Sequence, residues 1–387
     1  MDKAVVNRIS RILAGHLWVF SNELATSPKK FAPGSLVELT DKKGNFLGIG
    51  YVNPHSLISV RILTRKREEI DETFFKRRIE EALAYRKKTI GGRGSFRAVY
   101  SESDLLPGLI VDKLGGCLSV QFLTLGMEAQ SDKVIKALEE VYAPASIVVR
   151  NDSSIRTLEG LPLEKKIIKG VIDPLPIVEE DGVRMEVDPM TGQKTGFFLD
   201  QAENRKAFAA LCEGGTGLDL FSYTGAWSLA LAKKGVKMKT VDSSEYAIGQ
   251  GKRNAELNGL SGSCDFVKAD VFELLKEEVR AGRKYDCIAL DPPAFVKSKA
   301  RIAEAFKAYT ELNAACMGLL RHGGLFATSS CSYHVDRMMF FEMLRTAARG
   351  AGRQARIIET RSQAKDHPVS LAVPETEYLK CVIMEVL

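Results

Sequence analysis

Four aspartates, a proline pair and one cysteine carry the chemistry that this sequence displays. Asp219, Asp242, Asp270 and Asp291 each stand at or near the end of a short apolar run, in Leu218-Asp219-Leu220-Phe221, Thr240-Val241-Asp242, Phe266-Val267-Lys268-Ala269-Asp270 and Ile288-Ala289-Leu290-Asp291. One such aspartate is ordinary, because Asp caps helices. Four on successive runs need another reason. A carboxylate is acceptor-only, so an acid after a second strand can take both protons of a ribose diol. Asp242 fits that role, and Asp270 could accept from an adenine amine in the same manner. The first turn, Phe221-Ser222-Tyr223-Thr224-Gly225, has a single glycine. It is not the glycine-rich cradle of a pyrophosphate, which disfavours a dinucleotide. It suits a ligand with an amino-acid end, and S-adenosylmethionine is such a ligand.

Asp291-Pro292-Pro293-Ala294-Phe295 is a sharper signal. Two prolines hold the backbone extended and offer carbonyls without N–H groups. With the Asp291 carboxylate they can accept hydrogen bonds from a flat base beside the cofactor; the plainer alternative is a stiff strand-to-helix turn. Ser329-Ser330-Cys331-Ser332-Tyr333 ends the next run. A cysteine in that polar setting is placed for nucleophilic attack, whereas Cys287 in a strand and Cys316 in a helix read as packing. Attack needs the thiolate, and an unperturbed thiol (pKa ~8.5) is mostly protonated at neutral pH. The group that takes the proton is not readable from sequence.

These residues need a scaffold, and the C-terminal half supplies one by alternation. Strands around 218–221, 239–242, 266–270, 286–291 and 324–330 are followed or separated by helices over 226–234, 245–258, 271–281 and 302–320. That order predicts an open, mostly parallel α/β sheet of Rossmann-like type, with ligands beyond the carboxyl ends of its strands. Upstream, short strands over 36–39, 46–52 and 57–63, broken by Gly, Asn and Asp, predict a small β-rich domain. A helix over 71–90, strands at 118–123 and 147–150 and a helix over 130–141 predict a small α+β domain. Asp173-Pro174-Leu175-Pro176 reads as a hinge.

The chain has 387 residues, 27% charged and 45% hydrophobic, the profile of a globular protein. No apolar run is long enough to span a membrane, and no secretory signal opens the sequence. The expectation is a cytoplasmic protein with no membrane role. Seven cysteines without CxxC spacing and five scattered histidines argue for reduced thiols and no metal. Net charge is +6, unevenly spread: residues 1–97 hold 19 basic and 10 acidic side chains, and the remainder sums to −3. A basic quarter beside an acidic remainder suits a polyanion-binding module, or simply a solvated basic face.

Seven segments in order, HLWVFSNEL (16–24), SESDLLPGLIVDKLG (101–115), QKTGFFLDQAENR (193–205), LDLFSYTGAWSLALA (218–232), ALDPPAFVKSK (289–299), SSCS (329–332) and QAKDHPV (363–369), give the chain a family likeness. It resembles the RlmI-type ribosomal RNA large-subunit methyltransferases, which transfer a methyl group from S-adenosylmethionine to cytosine C5. The resemblance covers nearly the whole chain. It implies an RNA-binding PUA domain over 1–68, a central α+β domain over 70–175 and a Rossmann-like methyltransferase domain over 177–387. It places the cofactor against Asp219, Phe221, Ser222, Tyr223, Thr224, Gly225, Asp242, Asp270, Val271 and Asp291, with Arg205 closing the pocket. It makes Cys331 the nucleophile and Asp291 the holder of the target ring.

Cysteine addition to C6 would make C5 enamine-like and able to accept the methyl group. Related two-cysteine enzymes carry a second cysteine where this chain has Pro293, so elimination here would fall to water or Asp291. Two residues depart from the common pattern. Tyr333 stands where glycine is more usual, beside the target pocket, and Trp227 stands where smaller residues are common and reads as packing. The implied partner is large-subunit ribosomal RNA, with a base splayed into the pocket. Arg11, His16, Trp18, Lys29, Lys30, Lys42 and Lys43 are candidates to contact it, as are Lys194, Lys297 and Lys299 near the pocket. A homodimer is compatible with the sequence. Two other readings stand beside this one: a base-nitrogen methyltransferase that needs no Cys331, and an RNA-binding protein with a silent cofactor fold.

Overall fold

The computed structural model describes residues 1–295 and 301–387. The chain divides into two compact units. One comprises 1–178, 187–200 and 365–376; the other comprises 179–186, 201–364 and 377–387. The sequence-predicted hinge at 173–176 lies inside the first unit, and two later stretches return to that unit.

The first unit holds two five-stranded sheets. Strands β1 (Asp2–Val6), β2 (Trp18–Phe20), β3 (Leu36–Asp41), β4 (Phe46–Val52) and β5 (Ile58–Thr64) form one, in the order β1-β3-β4-β5-β2. Val19, Val37, Leu39, Val60 and Ile62 bury its core. The glycines of β4 are needed where strands press together: a Cβ on Gly50 would lie 2.4 Å from the Arg61 carbonyl. The second sheet is built from β6 (Phe96–Tyr100), β7 (Leu109–Leu114), β8 (Cys117–Phe122), β9 (Ser146–Asn151) and β10 (Glu164–Lys169), in the order β10-β9-β8-β7-β6. Helices Glu72–Ile90 and Ser131–Tyr142 contribute Phe75, Ile79, Val134 and Leu138 to its core. Asp71 caps the longer helix, accepting from Phe74 N at 2.8 Å.

Buried polar groups tie the two returning stretches into this unit. The Asp112 carboxylate takes the Arg97 guanidinium at 2.6 and 2.9 Å and also accepts from the Thr195 hydroxyl. Arg150 donates to the Gly192 carbonyl at 2.8 Å. Arg86 donates to the Asp366 carbonyl, and Arg97 N to the Asp366 carboxylate, each at 2.8 Å.

After the ribbon of β11 (Ile177–Glu180) and β12 (Val183–Glu186), along which the chain passes at Glu179 into the second unit, seven strands of that unit form one sheet. They are β13 (Thr216–Leu220), β14 (Lys237–Asp242), β15 (Cys264–Lys268), β16 (Tyr285–Leu290), β17 (Leu320–Ser330), β18 (Ala355–Arg361) and β19 (Lys380–Val386). Their order is β15-β14-β13-β16-β17-β19-β18. The first five are parallel, as the alternation predicts; β19 and β18 add an antiparallel edge that it does not. Helices Val271–Arg280, Ile302–Leu319 and Arg337–Gly350 pack Leu274, Leu312, Phe340 and Met343 onto Leu218, Ile288, Phe326 and Met384. Cys287 and Cys316 are buried, as their positions imply. The strand order reverses between β13 and β16, and that reversal opens a crevice at the carboxyl ends.

Candidate active site

The turn after β13 is built to stay open. Phe221 and Tyr223 hold φ of 60° and 48°, and Gly225 holds 82°. Two non-glycine residues with positive φ cost about 1–3 kcal/mol each, strain that is concentrated at ligand-binding turns. Gly225 is required, because its Cβ would meet the Phe266 ring at 2.9 Å. The half-buried Asp242 braces the turn. One of its oxygens accepts from Tyr223 N and the other from Ser244 N, both at 2.9 Å.

Asp219 sits differently from the sequence expectation. It lies within β13, opposite Thr240 and Ala289, and is fully buried. Oδ2 accepts from Ser228 N at 3.0 Å and Ser228 Oγ at 2.7 Å. Burial pushes its carboxyl up to about 7, against the pull of the Ser228 bonds and with help from the charges of Asp291 and Asp242. Asp270 caps the helix Val271–Arg280, accepting from Phe272 N and Glu273 N through Oδ1 alone. The rings of Phe221, Phe272 and Phe295 meet at 6.3–6.4 Å, with Tyr309 4.9 Å beyond Phe295.

Asp291 follows β16, its own N–H reaching back to the Leu220 carbonyl. Gln201, itself buried, donates to its Oδ1 at 3.0 Å and to Ser329 Oγ at 3.0 Å. Trp227 Nε1 faces Oδ2 at 3.4 Å. Cys331 lies just past β17 and is half-buried, while the other six cysteines are buried. Its Sγ is 3.9 Å from the Pro292 carbonyl. Ser330 and Ser332 beside it are buried, and Ser332 Oγ bonds Tyr309 Oη at 3.0 Å. The structure therefore brings Cys331 beside Pro292, the residue that follows Asp291.

Several expected site residues meet other partners in the fold. Arg205 is buried in a bidentate pair with Glu180, at 3.0 and 2.9 Å, and lines a separate cavity of about 270 Å³ with Ala209, Ala230 and Lys233. There its fork is held by Glu180. The ring of His16, expected to contact RNA, is buried instead, with Nδ1 accepting from Trp18 N and Nε2 shared with Arg11 and Glu375. Burial, followed by the Arg11 charge, lowers its pKa. Trp18 is half-buried, and its indole N–H is committed to Glu102 at 2.9 Å. Arg11 stacks over the Phe20 ring at 4.8 Å. Trp227 does pack, edge to face on Phe208, yet it also reaches Asp291.

Lys29, Lys30, Lys42 and Lys43 are exposed. Lys194 is exposed in the first unit, over the Phe198 ring. Lys297 and Lys299 lie outside the described residues. Sequence reasoning missed Gln201 and Tyr309. Only Gln201 stood inside a recognisable motif.

A PUA-like domain model matches residues 7–65, and an S-adenosylmethionine-dependent methyltransferase model matches residues 145–347. The ribosomal RNA large subunit methyltransferase I of Pseudoalteromonas translucida is 38% identical over 377 residues, covering 96% of this chain and 95% of the relative. That of Aeromonas hydrophila is 39% identical over 387 residues, covering 98% of each. The chain belongs to the ribosomal RNA large subunit methyltransferase I family. A SAM-dependent methyltransferase from Streptococcus mutans shares the fold, with a TM-score of 0.84 at 22% identity over the whole of both chains. SMU.776, a methyltransferase crystallised with SAH, gives a TM-score of 0.85 at 22% identity, again over both whole chains.

The cofactor of this family is S-adenosylmethionine, and the residues present fit it. Ser222 Oγ and Asp219 Oδ1 are buried with no hydrogen-bond partner among the described residues. Buried polar atoms are rarely left so. An orphaned acceptor and a hydroxyl at the turn suit a cationic amino-acid end, and the three phenylalanine rings offer an apolar wall to a flat base. Among the described residues no cluster could hold a metal, and no helix is long and apolar enough to cross a membrane.

Proposed function

We propose that the protein methylates C5 of a cytosine in large-subunit ribosomal RNA through a covalent bond between Cys331 Sγ and C6. The observation that carries this reading is the position of Cys331. It alone among the cysteines is partly exposed, and its sulfur faces the carbonyl of the Asp-Pro-Pro motif at 3.9 Å. The ribosomal substrate comes from the relatives' names, and the PUA-like match at 7–65 supports an RNA-binding role for residues 1–68. Residues 70–175 would form a central domain, and 177–387 the catalytic one. Seven free cysteines accord with a cytosolic setting.

Bound S-adenosylmethionine supplies an electrophilic methyl group. The 219–225 turn, with Asp219, Ser222 and the Asp242 brace, would hold its amino-acid and ribose parts. Asp270 with Val271, next in sequence to Phe272 of the Phe221, Phe272 and Phe295 ring cluster, would hold its base. Cys331 adds to C6, the electrons moving into the ring so that C5 becomes nucleophilic. Asp291, fixed by Gln201 and Trp227, would accept from the exocyclic amine or, as the acid, give its proton to N3 so that the charge developing in the ring is neutralised, leaving a carboxylate. After C5 has accepted the methyl group, its proton leaves to Asp291 or water and the thiolate departs from C6. Burial of Ser330 and Ser332 fixes the loop that aims the sulfur.

The test is to incubate the protein with unmodified large-subunit RNA and cofactor labelled in the methyl group, then digest to nucleosides. Labelled 5-methylcytidine is the expected product. Label in adenosine or guanosine instead would move the reading to base-nitrogen transfer, and no label would leave an RNA-binding protein.

A further inference from the structure

The last strand opens with a lysine that the fold swallows. Lys380 precedes Cys381-Val382-Ile383-Met384 and is 6% exposed. A lysine is almost never buried to this degree without a carboxylate partner. Lys380 has none among the described residues. Its ammonium donates to two carbonyls, Ser332 O at 2.8 Å and Tyr378 O at 2.7 Å. The strand register puts Lys380 opposite Ser330. Its chain thus starts beside the residue before Cys331 and ends on the carbonyl of the residue after it.

We propose that the Lys380 ammonium holds Cys331 as the thiolate of a thiolate–ammonium pair, taking up the thiol proton itself whenever its nitrogen is neutral. In its catalytic meaning this rests on the reading of Cys331 as the nucleophile. The valence count fits. A neutral amine has two N–H groups and one lone pair, and the two carbonyls occupy the two N–H groups. The remaining position is either a lone pair or a third N–H, so the nitrogen changes charge without breaking either bond. In the transfer the S–H bond breaks, its electrons stay on sulfur, and the nitrogen lone pair forms the new N–H bond. When Cys331 is later expelled from C6 it returns as thiolate beside the same cation, so the cycle closes without an external base for the sulfur.

The surroundings favour the exchange. Burial pushes the Lys380 ammonium down to about 8, and the Cys331 charge is the foremost influence holding it up. Glu377 and Asp336 add to that hold, and Arg337 opposes it. An amine at about 8 is matched to a thiol with an ordinary value of ~8.5. Tyr309, which feels the charges of both Cys331 and Asp291, is pushed up to about 12 by burial and stays neutral across the working range.

The test measures the sulfur directly, without RNA or methyl transfer. Alkylation of Cys331 by iodoacetamide is followed from pH 5 to 10 by peptide mass spectrometry; the six buried cysteines give the background. Wild type is expected to show a midpoint below ~8.5. Lys380→Met should raise it by about a unit or more, slowing alkylation at pH 7 about tenfold. Lys380→Arg, which keeps the charge, should hold the midpoint low. S-adenosylhomocysteine affinity by calorimetry reports whether each variant is folded. A midpoint unchanged in folded Lys380→Met, or Lys380→Arg matching Lys380→Met, overturns the proposal. If instead Cys331→Ser still methylated RNA, the nucleophile reading would fall while this result stood.

Discussion

Trp227 points its indole N–H at Asp291 Oδ2 across 3.4 Å, from the first turn of the helix that follows the cofactor turn. A residue that fills the core thus also fixes the orientation of the acid that the proposed reaction sets against the target base. Trp227→Phe separates the two tasks. Phenylalanine keeps the edge-to-face packing on Phe208 and removes the N–H. Losing one bond to a charged group, about 1.5 kcal/mol at this length, should lower kcat/KM roughly tenfold. The melting temperature should move by no more than a few degrees. Equal kinetics in both proteins would reduce Trp227 to packing.

Cys331→Ser should lower methyl transfer by at least about 10³-fold with S-adenosylhomocysteine affinity intact. RNA bearing 5-fluorocytosine adds a positive readout. Fluorine cannot leave as a cation, so the adduct persists after methyl transfer and wild type should migrate as a protein–RNA conjugate on denaturing gels. A conjugate formed equally by Cys331→Ser would exclude this sulfur.

Asp219 makes stability depend on pH with a defined sign. Its folded-state carboxyl titrates near 7, against 3.8 for the ordinary group. Between those values the unfolded chain ionises freely and the folded chain does not, so the wild type loses stability as pH rises from about 4 to 7 and stays level above. Asp219→Asn keeps the acceptor for Ser228 and removes the titration. The stability gap should therefore shift in favour of the variant across that window, by an upper limit of about 4 kcal/mol. Urea unfolding of both proteins at about pH 4.5 and pH 8, either side of most of that window, measures it. A gap independent of pH would show that Asp219 does not titrate there.

RNA affinity should respond to the exposed lysines and not to His16. Replacing Lys29, Lys30, Lys42 and Lys43 with alanine should flatten the dependence of log affinity on log salt by roughly 0.7–0.9 for each phosphate no longer neutralised. His16→Ala should instead lower the melting temperature, because it strips partners from Arg11, Glu375 and the Trp18 amide. Filter binding over a salt series distinguishes the two. An unchanged slope in the lysine variant would place the RNA elsewhere.

Parts of this molecule are legible in the sequence because local chemistry and tertiary role coincide. Leu218–Leu220 and Tyr285–Leu290 are apolar runs ending at or beside an acid, so strand and site can be read together. Cys331 stands out because its polar neighbours set it apart from Cys287 and Cys316. The edge strand Ala355–Arg361 is hidden because most of it is exposed and its alternation is weak. Lys380 is hidden for a different reason: only antiparallel pairing across 48 residues brings it to Ser332. His16 misleads because a basic residue in a basic stretch looks solvated, and nothing local foretells that Glu375 will meet it. Asp219 looks like a strand-end residue, which conceals that its carboxyl turns inward to Ser228.

The ties from Asp112 to Thr195, Arg150 to Gly192 and Arg86 to Asp366 have a historical consequence. They stitch later stretches of polypeptide into a body built mainly from earlier ones. A gene rearrangement cutting once just after the codon for Pro176 would carry off a downstream fragment with two orphaned stretches and leave the upstream fragment with bare polar sockets. Such a protein cannot be assembled by simple exchange of cassettes; its halves are bound to be inherited together.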